Sequence, residues 1–73
     1  MKLSELKVGE SGVVIVIKLS KIEREHLFTL GVKEGEIVTV SKKSLFGSPT
    51  LVKVSDYYVA LQEKTLNRIE VKI

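Results

Sequence analysis

Gly12-Val13-Val14-Ile15-Val16-Ile17-Lys18 is β-branched at five successive positions. Such side chains lose χ1 freedom in a helix and fit the pleated surface of a sheet. The unbroken apolar character predicts a strand buried on both faces, or one turning the corner of a barrel. The chain around it is short, 73 residues, so a single domain over residues 1–73 is expected. A domain of this size withdraws only about 60% of its unfolded surface from water. There is no cysteine, so no disulfide can staple the core and no thiolate can bind metal or attack a substrate.

Turn residues divide the remainder. Ser4-Glu5-Leu6-Lys7-Val8-Gly9 reads as a tight turn, with Ser4 as its cap and Gly9 at its end in positive φ. Ser20 to Leu30 is the one good helix candidate: Ser20 with Glu23 three residues on makes a capping box. Ile22, His26, Leu27 and Leu30 then share one side, Arg24 and Glu25 face solvent, and Phe28 lies off the apolar side, next to Arg24. Gly31 is the expected helix stop and Gly35 the turn into a strand over Glu36–Lys42. Lys43–Pro49 is a loop marked by Gly47-Ser48-Pro49. Leu51–Val54 and Tyr57–Gln62 form a hairpin about Ser55-Asp56, with Tyr57, Val59 and Leu61 on one face. Glu63–Asn67 is a short helical turn, and Arg68–Ile73 alternates with Ile69, Val71 and Ile73 inward. The expected turn positions are Gly9, Gly12, Gly31, Gly35, Gly47 and Pro49. Five short strands with one helix inserted after the first predict a mainly β fold, a small closed barrel that removes its own edges.

Chemistry is scarce by comparison. Formal net charge is +3; residues 1–36 hold six Lys/Arg and six Glu, and residues 37–73 six Lys/Arg and three acids. This mild basicity suits an acidic protein partner or an anionic surface and falls short of a dedicated nucleic-acid binder. Val13–Ile17, the longest apolar run, is too short for a bilayer span, and Met1–Glu5 lacks the apolar core of a signal peptide, so a cytoplasmic protein is expected. Gly31-Val32-Lys33-Glu34-Gly35 lacks P-loop spacing, and no serine stands in a nucleophile-elbow context. His26 is the sole histidine, read as structural because a metal site needs three or four ligands. No catalytic residue, metal site or cofactor is expected. What remains is binding surface. Leu45 and Phe46 either plug the barrel end or present an apolar patch to a partner, and Phe28 poses the same choice.

Together these segments resemble the FeoA family, small SH3-like barrels associated with bacterial and archaeal ferrous-iron uptake. The likeness rests on Leu3-Ser4-Glu5-Leu6-Lys7-Val8-Gly9-Glu10-Ser11-Gly12, on Arg24–Gly35, on Leu45-Phe46-Gly47-Ser48-Pro49, on Val59-Ala60-Leu61-Gln62 and on Ile69-Glu70-Val71. It covers almost the whole chain. Glu34, Leu45, Ser48 and Gln62 depart from the residues usual in the family, respectively proline, proline, aspartate and arginine. The resemblance implies a SH3-like five-stranded barrel and an accessory role, binding the cytoplasmic G-protein region of a FeoB-type membrane transporter. Candidate contact residues are Arg24, Leu27, Phe28, Gly31, Leu45 and Phe46, with Phe28 preferred over the inward-packing Leu27 and Leu30.

Other classes make different demands. A similar barrel forms the C-terminal domain of iron-dependent repressors; here Met1 leads directly into the barrel, which favours a free-standing protein. A nucleic-acid-binding barrel of the KOW type needs basic residues interleaved with aromatics, and only Lys42-Lys43 with Phe46 approximates this. Self-association through Leu45 and Phe46 is compatible with either.

Overall fold

The computed structural model describes residues 1–43 and 49–73. A 3-10 turn over Leu3–Glu5 leads into β1 (Ser11–Ile17), α1 (Lys21–Thr29), β2 (Ile37–Lys42), β3 (Thr50–Val54), β4 (Tyr57–Leu61), α2 (Glu63–Leu66) and β5 (Ile69–Lys72). All strand pairs are antiparallel, in the order β4-β3-β2-β1-β5. The fold is therefore mainly β with one helix after the first strand, as expected. Ladder closure is not: among the described residues the end strands β4 and β5 do not pair, and α2 bridges them.

Alternation along β2, β3 and β4 sends Val38, Val40, Val52, Val54, Val59 and Leu61 into one core. Cross-strand pairing sets Val54 beside Val38 and Val59 beside Val52. Leu3 and Leu6 enter the core from the 3-10 turn, and Leu66 from α2. The first turn is capped from Lys2 rather than Ser4: Lys2 N–H donates to Glu5 Oε1 at 2.7 Å. Ser4 Oγ instead donates to Asn67 Oδ1 at 2.6 Å, tying that turn to the end of α2.

The β-branched run is buried on one face only. Val14 and Ile17 point inward while Val13 and Ile15 are exposed. Positions 14 and 17 have opposite parity, so a regular strand could not bury both; a bulge between Val14 and Val16 changes the phase. The run thus turns a corner. Gly12, expected at a turn, is a strand residue buried beneath β5. A Cβ there would lie 3.0 Å from Val71 Cβ, so its role is close packing. Ile73, expected inward, is 78% exposed because β5 ends at Lys72. The other turn glycines behave as expected: Gly9, Gly31 and Gly35 all take positive φ. Pro49 is exposed just before β3, and Gly47 lies outside the described residues.

Ser55 begins the two-residue turn between β3 and β4 with φ +54°. An L side chain in that region costs about 1–2 kcal/mol. Ser55→Gly removes most of this, less the extra chain entropy glycine loses on folding. We expect the variant to be about 0.5–1 kcal/mol more stable by urea denaturation, with an unchanged m-value.

Candidate functional site

The site is the corner formed by α1 and its exit into β2. At the start of α1, Ser20 Oγ accepts from Glu23 N–H at 3.2 Å and donates to Glu23 Oε1 at 2.8 Å; Ser20 N–H donates to the same carboxylate oxygen at 3.3 Å. This is the expected capping box. The hydrogen bond from the Ser20 hydroxyl, then that from its backbone N–H, pull the Glu23 pKa below the usual carboxylate value; Lys64 and Arg68 add to the effect.

At the other end, Gly31 N–H donates to Phe28 O and Val32 N–H donates to Leu27 O, both at 2.9 Å. With Gly31 at φ +89° this is a Schellman stop. Leu27 and Val32, joined by that bond, are both buried. The chain then turns at Gly35, whose N–H donates to Val14 O at 2.8 Å while Val14 N–H donates to Glu36 O at 2.9 Å. Helix stop and strand start are thereby fastened to β1 within four residues. Gly31 also leaves room for a neighbour: a Cβ on it would overlap the Tyr57 hydroxyl.

Only Leu27 of α1 is buried, and Leu30 beyond it is half-buried. Ile22 and His26, expected on the packed side, are exposed, Ile22 by 80%. The helix is held at its C-terminal end, and its first half projects beyond the core. Two shallow grooves flank it. One, about 310 Å³, is lined by Arg24, Phe28, Lys33 and Glu34 over Ile17 and Val32. Phe28 is 60% exposed, and Lys33 Nζ stands 5.2 Å from its ring centroid, a cation–π contact. The other, about 290 Å³, has Leu19, Ile22, Glu23, His26, Leu27 and Thr65 as its walls.

Of the candidate contact residues, the structure brings Arg24 and Phe28 together on one groove, with the half-buried Gly31 at the helix end. Leu27 must be withdrawn as a contact residue: at 4% exposure it anchors the helix. Leu45 and Phe46 lie outside the described residues. Lys33 and Ile22 were missed. Lys33 follows the helix stop, so helical spacing could not relate it to Phe28, and Ile22 was assigned to the buried side by periodicity alone. Among the described residues no three His, Asp or Glu side chains converge to hold a metal ion.

These features define a small SH3-like β domain with an exposed aromatic and flanking charges beside the helix stop. The FeoA domain model matches residues 1–73, and the chain belongs to the FeoA family, which is associated with ferrous-iron transport. A curated relative, the Fe(2+) transport protein A/Fe(2+) transporter FeoB fusion protein of Porphyromonas gingivalis, is 27% identical over 73 residues, covering 100% of this chain. The chain spans only 9% of that relative's length. Among solved structures, the FeoA protein of Chlorobium tepidum superposes with TM-score 0.92 at 29% identity, over 100% of this chain and 70% of that one. The zinc-complexed FeoA of Stenotrophomonas maltophilia, described as an SH3 domain protein, is 34% identical with TM-score 0.78, over 99% of this chain and 89% of that one. The kinship with metal-dependent repressors is one of fold. A manganese-dependent transcriptional repressor shares it at TM-score 0.82 and 19% identity, over 100% of this chain and 41% of that one. No helix of the described residues is long and apolar enough to cross a membrane.

The Glu23 pKa lies below its unfolded value, so the carboxylate's contribution to stability is complete above the ordinary glutamate range. It is lost as pH falls through the lowered pKa. Ser20→Ala should bring the Glu23 carboxyl titration, followed by NMR, back toward the ordinary value, and should cost about 1 kcal/mol in thermal or urea unfolding. Gly31→Ala strains the left-handed position and should cost about 1–2 kcal/mol. The Tyr57 hydroxyl, at the far end of a half-exposed side chain, can swing aside, so Tyr57→Phe in that background should recover little of the loss.

Proposed function

We propose that this chain is a cytoplasmic accessory protein of ferrous-iron uptake that binds the cytoplasmic G-protein region of a FeoB-type transporter. The observation that carries the reading is the Porphyromonas gingivalis relative, whose name joins an Fe(2+) transport protein A to a FeoB transporter in one chain. Fusion makes a contact between two modules intramolecular, which is useful only where the modules work together. The reading requires a recognition surface and no reaction centre. Phe28 is a suitable anchor, a large side chain exposed on a helix whose backbone is pinned by the Schellman stop. Arg24 and Lys33 beside it supply a local positive rim, tempered by Glu34. A partner groove that takes the ring and offers carboxylates to the rim would satisfy both.

The test is an amide NMR titration of the chain with the G-protein domain of the FeoB-type transporter from the same organism, repeated with a short single-stranded RNA. Shifts confined to Arg24–Gly35 with the transporter domain, and none with RNA, support the reading. Phe28→Ser should weaken that affinity by about 2 kcal/mol, roughly 30-fold, while circular dichroism shows the fold intact. Unchanged affinity removes α1 as the interface. Shifts with RNA alone, around Lys42, Lys43 and the tyrosines, would replace the proposal with a nucleic-acid-binding role.

A further inference from the structure

The two ends of the sheet are treated differently. The outer edge of β5 is covered by the first residues of the chain: Val71 N–H donates to Met1 O at 2.7 Å, Met1 N donates to Val71 O at 3.0 Å, and Lys2 bridges to Glu70. On its far side β4 has no backbone partner among the described residues. Natural edges are usually blunted by a charge, a proline, a bulge or a cover. Tyr57-Tyr58-Val59-Ala60-Leu61 contains neither a charge nor a proline. Its ladder with β3 runs through five consecutive pairs without a register shift, whereas the β1–β5 and β2–β3 ladders each contain one.

We propose that β4 is a pairing edge for a second copy of this chain, antiparallel about Val59. The register follows from side-chain size and charge. Antiparallel pairing centred on Val59 sets Tyr58 opposite Ala60 of the second copy and Tyr57 opposite Leu61, a large ring against a smaller neighbour in each case. Tyr58 is 57% exposed and Ala60 is also exposed, so the outer row has room for that contact. Beyond the strand, Asp56 comes opposite Gln62 and Ser55 opposite Glu63, so no like charges meet. A parallel register would stack Tyr58 on Tyr58 and bring Asp56 beside Asp56. A foreign strand would find no charge on this edge by which to be selected, while two-fold symmetry lets one edge satisfy its own copy. A single five-residue strand pair buries less than a standard interface of about 1,200–2,000 Å², so the dimer is weak and depends on concentration. It is independent of the transporter reading and uses a different surface.

Sedimentation velocity over a concentration series should show the chain passing from monomer to dimer. Tyr58→Lys/Ala60→Lys places two like-charge pairs across the symmetric edge and should weaken the dimer about tenfold or more. Tyr58→Lys/Ala60→Glu converts both into opposite-charge pairs and should restore it, although both variants carry the same lysine at position 58. Should either variant fail to fold, a dilution series of the unmodified chain gives the same answer, with amide shifts confined to residues 57–61. The proposal is overturned by a monomer up to about 1 mM, where even a weak contact of about 4 kcal/mol would register. It is equally overturned if the Lys/Lys variant dimerises like the parent, if the Lys/Glu variant remains as weak as Lys/Lys, or if the dilution shifts fall elsewhere.

Discussion

The 2.9 Å hydrogen bond from Val32 N–H to Leu27 O sets the geometry on which the candidate site depends. It closes the Schellman stop around Gly31, and because Leu27 and Val32 are both in the core, it is also the point where α1 is attached. Glycine at the intervening position is what allows the chain to reverse, since φ there is +89°. Gly35 then passes the chain to β1 through its bond to Val14 O. One short segment thus ends a helix, anchors it and extends the first ladder. It also explains why so little of α1 need be apolar. The helix is held at one end by packing, and its start is stabilised locally by Ser20 and Glu23. Its sides are left available.

That arrangement separates what was legible in the sequence from what was not. Capping residues and turn glycines act through bonds spanning three to five residues, so Ser20, Glu23 and Gly31 could be read directly. Strand positions followed from alternation for the same reason, and β2 to β5 lie within a residue or so of their expected bounds. Burial of particular side chains was harder. Ile22 and His26 share a helical side with Leu27, but whether that side meets the sheet depends on how the helix is set down. Local spacing contains no information about that. The run Val13–Ile17 left two readings open for a related reason, and the structure holds the second, a strand that turns a corner. Its composition could not distinguish burial on two faces from a bulge that changes the phase of one. Gly12 looks like punctuation in sequence and is packing in space, because Val71, distant in the chain, lies against it. Phe28 beside Arg24 was visible from helical angles; Lys33 over its ring was not, since the two are joined across the helix stop.

Charge is spread around α1 in solvent, with Arg24, Glu25, Lys33 and Glu34 all exposed. The Glu23 carboxyl is held below the usual carboxylate range by the Ser20 hydroxyl and then the Ser20 backbone N–H, with Lys64 and Arg68 adding to the effect. On the proposed reading, exposed charges of this kind are each worth little alone, but several together bias the approach of an acidic partner. The specificity of such a face must come mainly from shape, and an aromatic on a firmly fixed helix end supplies shape at small entropic cost.

Tyr57 connects the corner with the β4 edge of the sheet. It is the first residue of β4, and its hydroxyl rests in the space left open by the missing side chain of Gly31. The glycine therefore answers two demands, a backbone one from the helix stop and a steric one from the neighbouring strand. The backbone demand is the costly one, because φ there is +89°; the steric one is met cheaply, since the Tyr57 hydroxyl at the end of its side chain can move aside. The first is local and present in an isolated helix–turn segment. The second exists only once β3 and β4 have folded over the corner. A residue constrained at both levels ties local structure to tertiary structure, so the helix stop and the sheet edge reinforce one geometry.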